Sequence, residues 1–265
     1  MFSDRLVRSL AGWGLLVLLG GCSVREDRSD CPCLLVVDLS GLDAAGWVQA
    51  GYTSVSWSVR SDGFRIEGCL PLEGLPPELV VEIPRGAAQL TLLSGADDLC
   101  GPDGSLVIPE GEACPPLLAF SAAVDAALPE VTVPVTLHKR YARVDILFRD
   151  YLQDGYSFSL LGTTCGYDPE LRPLSGPFRV SLQPDAEGFC SLSVPAQADG
   201  SLSLCVYRFG EMERVFRLGE YILDSGYDWQ AEDLEDLSLE IDFVGTTARI
   251  RIHQWSKSVY FSIAV

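Results

Sequence analysis

The amino-acid sequence predicts an all-β protein built from two antiparallel β-sandwiches in tandem. Three observations lead to this fold class: apolar residues recur at every second position, Gly, Pro and Asp clusters separate the runs, and helical periodicity is scarce. A period of two places each apolar set on one face of a strand. One ordinary sandwich uses about 100 residues. The chain has 265 residues, so its length favours more than one sandwich.

The alternation is clearest in segments spread along the whole chain. It occurs at Val55, Trp57 and Val59, and again in the runs Val131–Leu137, Leu202–Val206, Leu237–Phe243, Ala248–Ile252 and Val259–Val265. Turn-forming clusters such as "RGAAQ", "CGPDG", "LQPDAEG" and "QADG" lie between strands. The one helical candidate is "LGEYILDSGYDWQAEDLEDL", a segment crowded with acidic residues.

The clearest domain boundary lies near Leu137–Tyr141. One strand ends there in "LHKRYA", and a new strand, "RVDILF", follows. We therefore assign residues 34–137 to an N-terminal sandwich and residues 138–265 to a C-terminal sandwich.

The N-terminus has the composition of a secretory signal. Arg5 and Arg8 precede an apolar run, Leu10–Leu19, which is followed by the small residues Gly20 and Gly21. The run is about half of the roughly 20 residues that a membrane-spanning helix needs. We interpret residues 1–21 as a lipoprotein signal peptide that is cleaved after Gly21.

A cysteine directly follows this cleavage zone. Leu19, Gly20, Gly21 and Cys22 resemble the lipobox of bacterial lipoproteins, in which the cysteine thiol receives diacylglycerol before cleavage. Because each buried CH₂ of an acyl chain contributes about 0.8 kcal/mol, several chains together anchor a protein stably. The sequence thus predicts lipidation of Cys22 and a tether over residues 22–33. The alternative is a secreted protein whose Cys22 enters a disulfide.

The chain is strongly acidic, with 37 acidic and 19 basic residues, a net charge of -18 and a pI of about 4.4. Such a surface repels nucleic-acid phosphates and anionic lipid headgroups. We therefore expect no nucleic-acid partner, and membrane contact only through the lipid. The acidic residues are spread along the chain, as on a solvated extracellular surface.

The remaining cysteines are disulfide candidates, because an exported protein meets an oxidising environment. They are Cys31, Cys33, Cys69, Cys100, Cys114, Cys165, Cys190 and Cys205. Eight cysteines allow 105 pairings, of which Cys100 with Cys114 is the most local. The alternative is that several are buried thiols. No metal site is predicted, since one residue separates Cys31 from Cys33 whereas zinc sites use two to four.

The sequence offers little for catalysis. Its histidines are His138 and His253, both at predicted strand ends, and it contains no phosphate-binding loop, nucleophile elbow or H-E-x-x-H motif. Paired carboxylates are too numerous to mark a hydrolase. We expect no catalytic residues, metal or cofactor, and do not assign the protein as an enzyme.

Several segments in order resemble the FimB-type fimbrial anchor lipoproteins, which are minor subunits of fimbriae in Gram-negative anaerobes of the gut and mouth. These segments are "CSVREDRSDCPC" after the lipobox, "LHKRYARVDILF", "LGTTCGYDPELRPLSGPF", "LGEYILDSGYDWQAEDLEDLSLEIDF" and "ARIRIHQW". The resemblance implies two transthyretin-like sandwiches and a structural role. The lipid would hold the base of a surface-exposed fimbria in the outer membrane, and the folded part would join a fimbrillin-like stalk subunit.

The resemblance also implies that subunits join by adding a strand of one to a sheet of another. The final segment suits a donor strand, because Val259, Phe261, Ile263 and Val265 form one apolar stripe. The alternative is that this strand pairs within the second sandwich.

A different function also fits a tethered β-protein, namely glycan binding for nutrient capture. It would require exposed aromatic side chains on one face. The aromatic candidates are Trp47, Tyr52, Trp57, Tyr167, Tyr227, Trp229 and Trp255. A secreted hydrolase is a third and weaker candidate.

Overall fold

The computed structural model describes residues 31–96, 99–101, 103–149, 155–244, 247–253 and 258–264. The first half contains β1 (Cys33–Asp38), β2 (Ser54–Ser61), β3 (Phe64–Pro71), β4 (Glu78–Ile83), β5 (Ala87–Ser94), β6 (Leu106–Val107), β7 (Leu118–Asp125), β8 (Glu130–Pro134) and β9 (His138–Lys139). The second half contains β10 (Tyr141–Arg149), β11 (Tyr156–Tyr167), β12 (Pro173–Leu182), β13 (Phe189–Pro195), β14 (Ser203–Arg208), β15 (Glu211–Phe216), β16 (Leu237–Val244), β17 (Thr247–His253) and β18 (Ser258–Ala264). Two short helices, α1 (Ala44–Gln49) and α2 (Leu218–Asp224), complete these ranges. The predicted all-β class is confirmed.

The strands of the first half form two sheets. One has the order β4-β1-β8 and the other the order β3-β2-β5-β7-β9. Strand β1 is central, antiparallel to β4 and parallel to β8. The parallel pair departs from the purely antiparallel pairing that the sequence predicts.

The strands of the second half also form two sheets. Their orders are β13-β10-β16-β17-β18 and β12-β11-β14-β15, and β6 of the first half joins the latter by pairing with β11. Strands β10 and β16 are parallel. Each half of the chain thus contributes a pair of sheets.

Two hydrophobic cores follow from the period-two pattern. In β2, Val55 and Val59 are fully buried in the first core, and Trp57 between them is partly buried against it. In β10, Val144, Ile146 and alternate neighbours enter the second core. The alternation therefore identifies the inward faces correctly.

A segment of the first half crosses to the second core. Leu106, Ile108 and Cys114 are buried there. We call residues 106–114 the crossing segment. Its amides bond to three separate positions of the second half: Ile108 N–H donates to the Cys165 carbonyl at 2.8 Å, Gly111 N–H to the Arg179 carbonyl at 2.8 Å and Cys114 N–H to the Ser193 carbonyl at 3.0 Å.

The helix prediction for residues 218–237 is correct only for its first turns. Helix α2 ends at Asp224, and Gly226 adopts a φ of +82° directly after it. Trp229 lies in the following turn rather than at a helix start, and its side chain is buried. Helix α1 was not predicted; Asp43 caps it by accepting a hydrogen bond from Gly46 N–H at 3.0 Å.

Candidate functional site: the C-terminal edge strand

The predicted donor strand forms β18, the last strand in the order β13-β10-β16-β17-β18. It pairs with β17 in an antiparallel register from Thr247↔Ala264 to His253↔Ser258. In the isolated chain the strand therefore lies within its own sheet, and only one of its edges faces another described strand. Of the predicted stripe, Val259, Phe261 and Ile263 lie in β18, whereas Val265 lies outside the described residues.

Two side chains of the stripe, those of Val259 and Phe261, are described. Val259 and Phe261 are partly buried. The Phe261 ring lies 5.0 Å from the Tyr221 ring of α2, measured between ring centroids. This contact joins β18 to α2. Because β18 is an edge strand, its release would break one strand pairing, whereas the loss of a central strand would break two.

The composition of β18 distinguishes it from the other described edge strands. Proteins protect exposed sheet edges with charged residues, prolines, bulges or very short strands. Each of the edge strands β3, β4, β8, β9, β12, β13 and β15 contains a charged residue or a proline, and β6 has only two residues. Strand β18, "SVYFSIA", contains neither charge nor proline. Its main-chain edge is therefore suited to pairing with another chain.

The predicted lipidation site, Cys22, and the predicted cleavage site at Gly21 lie outside the described residues. The described chain begins just before β1, whose first residue, Cys33, is buried. Cys33 lies 11 positions after Cys22, so at about 3.3–3.6 Å per extended residue the tether reaches at most roughly 40 Å. The predicted tether thus leads directly into the central strand of the first sheet.

The cysteines do not support the disulfide prediction. Cys114 is a buried free thiol whose Sγ donates to the Pro115 carbonyl at 3.4 Å, so the expected bond to Cys100 is not formed. Cys33, Cys190 and Cys205 are also buried free thiols, Cys165 is a partly buried one and Cys69 an exposed one. Burial raises the pKa of the Cys114 and Cys190 thiols to about 12.

His138 belongs to a hydrogen-bond network at β9. His138 Nδ1 lies 3.1 Å from Asp233 Oδ2, and the Lys139 amide donates to the other Asp233 oxygen at 2.7 Å. Burial raises the pKa of Asp233, but these hydrogen bonds outweigh it and hold that pKa below its usual range. The Lys139 ammonium donates to the Leu234 carbonyl and to Asp236. This network attaches β9 to residues 233–236. His253 ends β17.

The aromatic residues do not form an exposed platform in the described part of the chain. Tyr167, Tyr227 and Trp229 are buried, and Trp47, Tyr52 and Trp57 are partly buried against the first core. Trp255 lies outside the described residues. Their placement disfavours a glycan platform.

Two searches of the described residues concern membranes and metals. None of the helices described there is long and apolar enough to cross a bilayer. The same ranges contain no group of three or more His, Cys, Asp or Glu side chains placed to hold a metal ion.

The arrangement defines a class of protein: an all-β chain with two pairs of sheets and an uncharged C-terminal edge strand. No protein-family model and no curated protein sequence matches it. Among solved structures, it is similar to the fimbrial anchor protein Mfa2 from Porphyromonas gingivalis, with a TM-score of 0.61 and 12% identity, over 87% of this chain and 99% of that one.

Two further structures share the fold. A candidate adhesin from Bacteroides ovatus has a TM-score of 0.57 at 15% identity, over 90% of this chain and 97% of its own. A protein from Bacteroides thetaiotaomicron named as a candidate polysaccharide binding protein has a TM-score of 0.57 at 14% identity, over 84% and 98%. At these identities the likeness establishes a shared fold. The predicted resemblance to fimbrial anchor proteins is confirmed at that level.

Proposed function

We propose that this protein is an outer-membrane lipoprotein that acts as the anchor or another minor structural subunit of a surface fimbria. It joins a stalk subunit by strand addition and has no catalytic role. The observation that carries the proposal is the fold shared with the anchor protein Mfa2 across nearly the full length of both chains.

Strand β18 is the proposed donor. Main-chain hydrogen bonds supply affinity in strand addition, and alternate side chains supply register. An edge strand is hydrogen-bonded to one neighbouring strand only. Strand β18 can therefore leave β17 and join the sheet of a partner without removing a strand from the middle of its own sheet. Its uncharged sequence suits burial in such a partner.

The two halves are proposed to be transthyretin-like sandwiches divided between residues 137 and 138. Two pairs of sheets and two hydrophobic cores, each built mainly from one half, support this division. Two elements cross it: β9, directly after the boundary, pairs with β7 in a sheet of the first half, and the crossing segment of the first half pairs with β11.

A reversible lock tests whether β18 must leave β17. Arg249 and Ser262 are direct register partners, and directly opposite positions in an antiparallel pair lie close enough for a disulfide. The double variant Arg249→Cys/Ser262→Cys should fold in both redox states. Joining to the stalk, measured by crosslinking and mass spectrometry on intact cells, should be lost when the bond is oxidised and restored by reduction.

The single variants Arg249→Cys and Ser262→Cys are the controls, and both should join normally. If the oxidised protein joins as well as the reduced one, β18 is not a donor. If the crosslinked neighbours are components of a transport system rather than fimbrial subunits, the fimbrial role itself is wrong.

The lipid requires its own test. Cys22→Ser should abolish incorporation of an alkyne-labelled fatty acid and remove the protein from the outer-membrane fraction. Cys31→Ser, which changes a nearby cysteine outside the lipobox, should do neither. Retention of the label in Cys22→Ser would refute lipidation at that residue.

A further inference from the structure

A cleft with a mixed polar and apolar lining lies on the face of the sheet β3-β2-β5-β7-β9 that carries Ser56, Ser58 and Arg60. It has a volume of about 340 Å³. That lies within the range of small-ligand sites, roughly 300–1,000 Å³. Strands β2, β3 and β5 provide most of its lining, together with Cys100 and Gly104. The lining includes the polar residues Ser56, Ser58, Arg60, Arg65, Glu67 and Thr91 and the apolar residues Trp57 and Leu93.

Strand pairing explains why these polar groups meet. Ser58 is the register partner of Glu67 on one side and of Thr91 on the other, and Arg60 is the partner of Arg65. Register partners lie on the same face of a sheet. The inward residues Val55 and Val59 alternate with this set and enter the first core. The polar residues of the lining therefore come from the outer half of the period-two pattern.

Arg60 is the unusual member of this set. Its guanidinium donates to the Asp103 carbonyl, and its Nε is buried without a hydrogen-bond partner. The residue as a whole is partly buried, and its guanidinium has five N–H donors. The described residues supply Arg60 with no carboxylate at ion-pair distance, although the chain carries a net charge of -18.

The charged residues near Arg60 do not provide this carboxylate partner. Arg65 lies directly opposite Arg60, and like charges in that position repel. Glu67 is engaged by Arg65, whose Nε donates to it at 2.8 Å. The Asp103 carboxylate accepts from the amide and the hydroxyl of Ser105 at 3.0 and 2.7 Å. Burial, and after it the charge of Arg65, lowers the pKa of Arg60.

The geometry points to a binding site for a small hydroxylated monoanion, a sugar acid of monosaccharide size, whose carboxylate pairs with Arg60. A carboxylate in the cleft would be the ion-pair partner that the described residues do not give the Arg60 guanidinium, and arginine favours carboxylates because their planar geometries match. The Ser58 hydroxyl beside it provides a partner for a ligand hydroxyl group. The Thr91 hydroxyl donates to the Pro169 carbonyl at 3.1 Å, so it can contribute only as an acceptor. The volume exceeds what acetate or phosphate alone would fill. The proposal does not depend on the fimbrial role.

Calorimetric titration of the intact protein with D-glucuronate tests the site, with glucose, acetate and inorganic phosphate as separate probes. Glucuronate should bind saturably and more tightly than the other three. Arg60→Gln should weaken it roughly tenfold or more, the usual effect of losing a charge-assisted hydrogen bond. Arg60→Lys should fall between the two, because it keeps the charge and loses the planar pair of donors.

Arg85→Gln is the matched control. Arg85 also donates to a main-chain carbonyl, that of Ala127, and its loss changes the net charge equally, but it does not line the cleft. Glucuronate affinity should be unchanged in this variant. Should Arg60→Gln fail to fold, amide chemical shifts of the parent protein decide: glucuronate should perturb residues 56–60, 65–69 and 99–101.

Several results would overturn the assignment. They are the absence of saturable glucuronate binding to the parent, equal loss in Arg60→Gln and Arg85→Gln, or shift changes confined to other parts of the chain. Equal affinity for acetate or phosphate would refute the sugar-acid class, since it would leave the hydroxyl-lined part of the cleft without a function.

Discussion

Substitution of Gly166 by Ala would test how the crossing segment is held. Gly166 lies in β11, where it pairs with Val107 of β6, and has a φ of +153°. A Cβ added there would lie 1.9 Å from the Leu106 carbonyl oxygen. Because this oxygen belongs to the backbone, no side-chain rotation relieves the contact. Alanine would therefore push β6 away from β11.

The cost has two parts. Backbone strain at this φ is worth roughly 1–3 kcal/mol. Displacement of β6 would also expose part of Leu106 and Ile108, which are 2% and 3% exposed. Full exposure of such a side chain costs roughly 1.5–3 kcal/mol. Even partial displacement should thus lower the free energy of unfolding by about 3 kcal/mol or more.

Urea unfolding followed by circular dichroism measures this loss, and Gly86→Ala is the control. Gly86 also has a positive φ, +127°, but a Cβ there would meet nothing within 4 Å. Its substitution should cost only the backbone part, about 1–3 kcal/mol. If the two variants lose the same stability, the contact between β6 and β11 contributes nothing and the reasoning fails.

Three further predictions concern buried or hydrogen-bonded side chains. Tyr167→Phe removes a buried hydroxyl that accepts from the Ala196 amide at 2.6 Å, so urea unfolding should show a loss of roughly 1–3 kcal/mol, and no loss would contradict the bond. Asp233 has a folded pKa below its usual value, so it stabilises the fold above its unfolded pKa of about 3.9 and loses this effect as the pH falls through the folded value. Asp233→Asn should therefore be less stable than the parent at pH 7, with a difference that shrinks below about pH 4; a difference independent of pH would exclude this contribution. Burial raises the pKa of Cys114 to about 12, so iodoacetamide at pH 8 should label the exposed Cys69 and leave Cys114 unmodified in the native state, whereas equal labelling would show that Cys114 is accessible.

The sequence predicts the strands well because burial on one face imposes a period of two. Val55 and Val59 in β2 and Leu237, Leu239 and Ile241 in β16 all enter a core. Each of these predictions depends on residues only two positions apart. The buried face of a strand can therefore be predicted without knowing which strands it pairs with.

Pairing between distant strands leaves no comparable pattern. The parallel partners of β1 and β10 lie about 90 residues away in the chain, and nothing near β1 or β10 specifies them. The crossing segment shows the same limit. The sequence predicts only a local pairing of Cys100 with Cys114 around it, yet Leu106 and Ile108 are buried in the second core.

The two candidate sites differ in the same way: one depends on a local sequence pattern and the other on strand pairing. The apolar stripe of β18 could be predicted because it is periodic and local, and the structure adds that β18 lies at an edge. The Arg60 cleft could not be predicted, since it depends on the opposition of Arg60 and Arg65 across two strands and on the carbonyl of Asp103 from a third segment. Only the register places these groups together.

In the proposed anchor role, the crossing segment would carry mechanical load between the two halves of the chain. A fimbria attached at β18 and a lipid attached at Cys22 would place the load on opposite halves of the chain, because β1 belongs to the first pair of sheets and β18 to the second. Besides the covalent link through residues 135–140, the described contacts between the halves include the β9 network with residues 233–236, the Thr91 and Ser121 hydrogen bonds to the Pro169 carbonyl, and the hydrogen bonds of the crossing segment to β11, β12 and β13. The crossing segment shares the load only while β6 stays paired with β11. Gly166→Ala would remove this sharing without touching either attachment site, so it should weaken retention of fimbriae under shear flow while leaving lipidation and stalk joining intact.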